Sequence, residues 1–108
     1  MENISVIITA YKEPKTTARA VSTILSQITK NDEIIVVAPD KETIDAAKKV
    51  SRSDKRIIIL KDLGNGKPAA MNLAAKNAKG NILVWTDGDI VIDKEAIKEL
   101  LKPLKDKS

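Results

Sequence analysis

Short apolar runs alternate along the chain with longer segments in which apolar residues recur every three or four positions. The four runs, at residues 4–9, 33–38, 56–60 and 82–86, are rich in Ile and Val and apolar on both faces. That pattern is typical of strands that are covered on both sides, as in a parallel sheet. We therefore predict four buried strands that are connected by helices.

The segments that follow these runs carry signals for helix starts and ends. Pro14 suits the first turn of a helix over residues 15–28. Asp40 is expected to cap the start of a second helix, because aspartate is a favoured N-cap residue. Pro68 is expected to open a third helix, and Gly80 is expected to end it. The chain therefore has the local signals for an alternation of strands and helices.

A fourth helix is predicted to begin at the cap Asp93 and to end or kink at Pro103, because proline lacks the backbone N–H. The order of elements is then βαβαβαβα. Right-handed crossovers turn that order into an α/β fold with three layers, a doubly wound parallel sheet of four strands in the order 3-2-1-4. We treat residues 1–108 as a single domain, since domains commonly have about 100–150 residues.

Ligands of such sheets bind outside the carboxyl ends of the strands, so the residues directly after each strand are candidates for chemistry. Asp87 and Asp89 follow the fourth strand and are separated by one glycine. Two carboxylates spaced in this way can face the same side and hold Mg²⁺ or Mn²⁺, which prefer oxygen ligands. The alternative is a turn with solvated acids. The position favours the metal, because two acids held close repel each other unless a cation compensates.

The loop after the third strand contains two glycines and then Lys67, directly before Pro68. A lysine beside a helix start is a natural phosphate site, whereas the alternative is a flexible loop that Pro68 closes. The sequence is not a Walker A loop, which needs Ser or Thr after the lysine. No G-x-G-x-x-G follows the first strand, so a dinucleotide site is not supported.

The loops after the first two strands offer weaker candidates. Tyr11 is suited to stacking on a base and Glu13 to accepting hydrogen bonds, but these residues taken alone favour the alternative, a solvated turn with the tyrosine packed over the sheet edge. Asp40 is better explained as a helix cap than as a ligand contact. Trp85 lies inside a predicted strand, so we expect it in the core rather than in the site.

Composition narrows the range of function classes. The chain has 108 residues, 43% of them hydrophobic and 31% charged, which is ordinary for a globular protein. It has no Cys and no His, which excludes disulfides, thiolate zinc sites, cysteine nucleophiles and serine–histidine triads. Any catalysis must therefore use carboxylates, Lys, Tyr or a metal that is held by oxygen ligands.

Charge and hydropathy narrow the range of partners. The net charge of +4 is spread along the chain, and the aromatic residues are one Tyr and one Trp. Nucleic-acid binders usually cluster basic residues and add stacking aromatics, so nucleic acid is not expected as a partner. No apolar run approaches the roughly 20 residues that cross a membrane, and no signal peptide is recognised at the start. We expect a cytoplasmic protein.

The ordered set of motifs resembles the N-terminal half of family-2 glycosyltransferases, which have the GT-A fold and transfer a sugar from a nucleotide diphosphate donor. The resemblance covers nearly the whole chain. It is carried by four segments, at residues 4–13, 32–40, 64–80 and 82–89.

The resemblance also implies functional residues. Asp87 and Asp89 match the family's D-x-D motif, whose first acid touches the ribose or sugar and whose last acid binds the divalent cation, Mn²⁺ or Mg²⁺. The metal site is therefore assigned to these two acids. The positions assigned to nucleotide-sugar binding on this basis are Ala10, Tyr11, Glu13, Lys67 and Asp87, with Asp40 as a further candidate.

The chain departs from the family in two respects. The family commonly has two acids after strand two, one of which reads the base, whereas Ala38 and Pro39 stand here and Asp40 is shifted along the chain. No segment matches the family's second half, which carries the acceptor site and the catalytic base, so no residue is assigned as catalytic.

Three hypotheses follow from these observations. The first is the donor-binding half of an inverting glycosyltransferase, which has little activity alone. The second is a non-catalytic nucleotide-binding module that self-associates, since sheet edges left uncovered tend to pair, and we expect a homo-oligomer or a missing C-terminal half. The third is a sugar-phosphate nucleotidyltransferase, which ranks low because it normally has a Gly-rich loop after strand one.

Overall fold

The four apolar runs form one parallel sheet in the computed structural model, which describes residues 3–52 and 54–87. The strands are β1 (Ile4–Thr9), β2 (Glu33–Ala38), β3 (Ile57–Lys61) and β4 (Ile82–Asp87). The helices are α1 (Pro14–Leu25), α2 (Lys41–Ser51) and α3 (Lys67–Asn77). The predicted fourth helix, from Asp93 to Pro103, lies outside the described residues.

The strand order is β3-β2-β1-β4 and every pairing is parallel, which confirms the predicted fold class and topology. Thr9 at the end of β1 is level with Val37 of β2 and with Asp87 of β4. Ala38 of β2 is level with Lys61 of β3. The carboxyl ends of all four strands therefore meet at one edge of the sheet.

Alternate residues of the strands supply two cores, one on each face of the sheet. On one face β1 and β2 pack against α1 and α2, and on the other they pack against α3. This three-layer arrangement follows from the order of the strands. The chain crosses in one direction twice, from β1 to β2 to β3, and then returns over the opposite face to β4.

Burial differs between the central and the edge strands. Residues 4–8 of β1 and 34–38 of β2 are buried, as the apolar pattern predicts, but β3 is only partly buried. Trp85 of β4 is 41% exposed, so its predicted place in the core is wrong. Both β3 and β4 are edge strands of the described sheet. An apolar run in the sequence does not show whether its strand lies at the centre or at the edge of a sheet.

Gly80 does not end α3, contrary to the prediction. The helix ends at Asn77, and Ala78 is already extended. Gly80 instead passes against the start of β1, where a Cβ would lie 2.6 Å from the Ser5 hydroxyl oxygen and 2.7 Å from the Ser5 nitrogen. A side chain is excluded there by space. The first helix is also shorter than predicted: it ends at Leu25 rather than at residue 28.

No helix in residues 3–52 and 54–87 is long and apolar enough to cross a membrane.

Candidate functional site

A cleft of about 640 Å³ opens at the carboxyl edge of the sheet. This volume is within the range of small-molecule sites, about 300–1,000 Å³. Three strand-to-helix loops and the start of α3 line it. The lining residues are Thr9, Ala10, Tyr11, Glu13, Val37, Pro39, Asp62, Gly64, Gly66, Lys67 and Ala70.

The cleft brings together four of the residues that the sequence singles out: Ala10, Tyr11, Glu13 and Lys67. Asp40 is not among the residues that line it. Asp87 lies at the carboxyl end of β4 with its backbone beside Thr9, which does line the cleft. Asp89 lies outside the described residues.

The loop between β1 and α1 forms one wall and is held by hydrogen bonds to β2 and α2. The Ala10 N–H donates to the Val37 carbonyl at 3.0 Å, and the Glu13 N–H donates to the Thr43 hydroxyl at 3.0 Å. Lys12 has a φ of 52°, a left-handed conformation that costs a non-glycine residue energy. Tyr11, the residue before it, lines the cleft with 60% of its surface exposed.

Asp40 holds this loop in place while it caps α2. Its Oδ1 accepts the Lys12 N–H at 2.9 Å, and its Oδ2 accepts the Thr43 N–H at 3.1 Å and the Thr43 hydroxyl at 2.6 Å. Burial raises the pKa of Asp40, but the bonds from Lys12 and Thr43 outweigh it and lower that pKa below its ordinary value. The predicted helix cap is confirmed. A nucleotide contact for Asp40 stays a prediction, and both of its oxygens are already engaged.

The loop between β3 and α3 forms the opposite wall and holds a carboxylate that the sequence analysis did not select. Asp62 is only 9% exposed, and its Oδ1 accepts the Gly64 N–H at 2.6 Å. Gly64 and Gly66 have φ values of 74° and 98°, which glycine adopts without steric cost. The available signal was the position of Asp62, directly after Lys61, the last residue of β3.

The start of α3 gives this wall a positive character. Gly66 precedes the helix and has no side chain to cap it, and no acidic residue lies in the first turn. The N–H groups of a first helical turn have no partner within the helix, and the helix dipole places partial positive charge there. Lys67 adds a full positive charge at the same point. This wall therefore suits an anion.

A metal site at Asp87 and Asp89 stays a prediction, because only the backbone of Asp87 lies within the described residues. Within residues 3–52 and 54–87 no three acidic side chains cluster as a complete metal site. The end of β4 nevertheless adjoins the cleft, and carboxylate oxygens are the ligands that Mg²⁺ and Mn²⁺ prefer.

Comparison with known proteins gives one consistent family. The family model described as glycosyl transferase family 2 matches residues 5–108. An uncharacterized glycosyltransferase of Rickettsia felis is 35% identical over 101 residues, which are 92% of this chain and 17% of that protein. The UDP-Glc:alpha-D-GlcNAc-diphosphoundecaprenol beta-1,3-glucosyltransferase WfaP of Escherichia coli is 38% identical over 91 residues, 82% of this chain and 36% of that protein.

Solved structures show the same architecture. The crystal structure of S. aureus TarS aligns with a TM-score of 0.76 and 24% identity, covering 97% of this chain and 20% of that chain. A structure of TarS 1-349 aligns with a TM-score of 0.74 and 26% identity, covering 97% of this chain and 31% of that one. The chain thus has the sheet of the GT-A fold and spans a minor part of the length of each of these relatives.

Proposed function

Because this chain belongs to glycosyl transferase family 2, we propose that its cleft binds a nucleoside diphosphate sugar as the donor of a sugar transfer. One observation carries the proposal: a single cleft combines an exposed aromatic ring, Tyr11, with an uncapped helix start that carries Lys67. The first suits a base and the second suits a diphosphate.

The two walls divide the work of binding. The wall of the β1–α1 loop presents Tyr11 for stacking and Glu13 for hydrogen bonds to the nucleoside. The opposite wall offers Lys67 and the N–H groups at the start of α3 to the phosphates, where charge-assisted hydrogen bonds form. Ala10 has no side chain beyond Cβ, so it leaves room for the ligand beside β1.

Asp87 and Asp89 are proposed to hold a divalent cation, Mn²⁺ or Mg²⁺, at the end of β4. When bound, such an ion neutralises charge on the diphosphate. Asp87 is also proposed to contact a ribose or sugar hydroxyl of the donor; its backbone pairs with that of Thr9, which lines the cleft. Both roles extend the family's D-x-D pattern to these two residues.

The proposed reaction is an inverting transfer. An acceptor oxygen forms a bond to the anomeric carbon, the bond from that carbon to the phosphate oxygen breaks, and the nucleoside diphosphate leaves with the electron pair. The acceptor's proton passes to a base that we assign to no residue of this chain. We therefore expect the 108 residues alone to bind the donor and to transfer little or no sugar.

A second candidate, a self-associating module, is favoured by Trp85. This ring is 41% exposed on β4, which is an edge strand of the described sheet. Exposed edge strands tend to pair with other chains. Sedimentation velocity at micromolar concentration decides this point, since a monomer across that range would contradict a homo-oligomer.

Nucleotide binding tests the leading proposal. Titration calorimetry with UDP and GDP, with and without Mn²⁺, should show binding that the metal strengthens. Lys67→Ala should weaken diphosphate binding about tenfold or more and leave nucleoside binding nearly unchanged, because the lost charge acts on phosphate. Lys76→Ala is the matched control, because Lys76 lies at the other end of α3. No binding of any nucleoside diphosphate would contradict the proposal.

A further inference from the structure

Asp62 has an environment that the fold alone does not explain. It lines the cleft together with Tyr11 and Pro39, yet only 9% of its surface is exposed. An ionised carboxylate loses hydration when it is buried, so a carboxylate in such a place normally has its oxygens fully hydrogen-bonded.

Within the described residues, hydrogen bonds engage only one of the two carboxylate oxygens of Asp62. Oδ1 accepts the Gly64 N–H at 2.6 Å, and the backbone N–H of Asp62 donates to the Ala38 carbonyl at 3.2 Å. In the part of the chain that the structure describes, Oδ2 accepts no hydrogen bond. Since a carboxylate offers about four lone-pair sites, Asp62 retains acceptor capacity beside the cleft.

The loops around Asp62 fix its position. The bond from its backbone to Ala38 ties the end of β3 to the end of β2, and a Cβ at Gly64 would lie 3.8 Å from the Pro39 Cβ. Ala38 is the last residue of β2 and Pro39 follows it, and among the described residues this region contributes no carboxylate to the lining of the cleft. Asp62 is therefore the acid that lines the cleft where the carboxyl ends of β2 and β3 lie side by side.

Building on the proposed function, we infer that Asp62 selects the base of the nucleotide, with Oδ2 accepting the N3–H of a uracil-type ring. Uracil offers one N–H between two carbonyl oxygens, which matches one available carboxylate oxygen. Cytosine has an acceptor nitrogen at the same place, so two acceptors would face each other. Guanine presents two adjacent donors to a carboxylate, and one of them would have to share Oδ1 with the Gly64 N–H.

The preference should be visible in the wild-type chain. Titration calorimetry with Mn²⁺ should give UDP at least about tenfold tighter than CDP, because a mismatched buried acceptor is costly. UDP methylated at N3 should bind as weakly as CDP. dTDP has the same hydrogen-bonding edge as UDP and should exceed CDP, and GDP should be weaker than UDP. Pyrophosphate reports on the phosphate end alone.

Asp62→Asn tests the residue directly. Its Oδ1 can still accept the Gly64 N–H, whereas Nδ2 turns the remaining acceptor into a donor. UDP binding should fall at least about tenfold and CDP binding should rise, so that the ratio of the two inverts, while pyrophosphate binding stays unchanged. Asp45→Asn removes the same charge from an exposed position on α2 and should leave the ratio as it is.

Two outcomes would overturn the inference and keep the proposed function: equal affinities for UDP and CDP in the wild-type chain, or an equal loss of both in Asp62→Asn. Tighter binding of GDP than of UDP would overturn it as well. Absence of binding by every nucleotide would overturn the proposed function together with this inference. If Asp62→Asn fails to fold, the comparison of UDP, CDP and N3-methylated UDP on the wild type still decides.

Discussion

The two ends of the sheet use their polar groups in different ways. At the amino end, buried Asp32 accepts the Ile4 N–H at 2.9 Å and the Thr29 N–H at 2.8 Å. Ser5 donates to Glu33 at 2.6 Å and accepts the Gly80 N–H at 2.8 Å. At the carboxyl end the chain instead surrounds a cleft of about 640 Å³. At the amino end the polar groups are bonded to one another in what we call the closed network, whereas at the carboxyl end polar groups line an open cleft.

This difference separates acids that stabilise the fold from acids that are available to a ligand. Asp32 and Asp40 accept hydrogen bonds through both oxygens, all from their own chain. Asp62 is as buried as a structural acid but is bonded by the described protein through one oxygen only. We infer that unused hydrogen-bond capacity on a buried carboxylate beside the cleft, rather than charge alone, marks an acid that is available to a ligand. Substitutions at the two ends should therefore have different consequences.

The largest effect on stability is expected at the amino end, for Gly80→Ala. The added Cβ would lie 2.7 Å from the Ser5 nitrogen and 2.9 Å from the Asn3 carbonyl oxygen, and backbone atoms cannot move aside cheaply. We expect a loss of about 3 kcal/mol in the free energy of unfolding, at the upper end of the usual cost of overpacking. Urea unfolding measures it.

Lys79→Ala is the control for Gly80→Ala. Its side chain is exposed, so the change should stay within about 0.5 kcal/mol. Molecules of Gly80→Ala that remain folded should bind nucleotide as the wild type does. An unchanged unfolding midpoint, or a selective loss of binding, would show that the amino end is not the closed network described above.

The sequence was sufficient for the architecture because the information that sets it is local. Runs of Ile and Val determine the strands, and the handedness of crossovers then leaves few orders. Position within the sheet is not local. Trp85 was expected in the core because its run looks like the others, but β4 is an edge strand. Gly80 was expected to end a helix, whereas a glycine is required at this position because the backbone passes close to Ser5 of β1, 75 residues away.

The candidate site was predicted in part for the same reason. Tyr11 and Lys67 lie directly beside a strand end and a helix start, which the sequence marks, and both line the cleft. Asp62 has the same kind of position after β3, but its importance depends on which of its oxygens the folded loop engages. Asp40 shows the converse, since an acid close to the expected place of a base reader is engaged in capping α2 and holding Lys12.

An intermediate effect is expected for Asp40→Ala, which combines the two behaviours. Loss of the cap on α2 and of the bond to Lys12 should lower the free energy of unfolding by about 2 kcal/mol. The loop that carries Tyr11 then loses the hydrogen bond between Lys12 and Asp40 and is held less firmly. UDP and CDP should therefore both bind more weakly, by the same factor. Urea unfolding and calorimetry measure the two effects.

The pattern distinguishes Asp40 from Asp62, whose substitution by Asn should change the ratio of UDP to CDP. Asp45→Ala is the control, because its exposed ion pair with Lys41 contributes no more than about 0.5 kcal/mol. A change of base preference in Asp40→Ala would assign Asp40 to the nucleotide and contradict the division between structural and ligand-binding acids.

The smallest effect is expected at the amino end, for Asp54→Asn, and it depends on pH. The side-chain and backbone hydrogen bonds from Arg56 lower the pKa of Asp54 below its ordinary value. A lowered pKa in the folded state stabilises the fold above the unfolded-state pKa of about 3.9 and stops doing so as the pH falls through the folded-state value. The wild type should therefore exceed Asp54→Asn in stability at pH 7, and the two should converge near pH 2.

Both side chains of the pair are 27% exposed, so the difference should stay below about 1 kcal/mol. Urea midpoints of both proteins across this range measure it, and nucleotide binding at pH 7 should be equal in the two. A difference that persists at pH 2 would show that the pair contributes through packing rather than through the charge of Asp54.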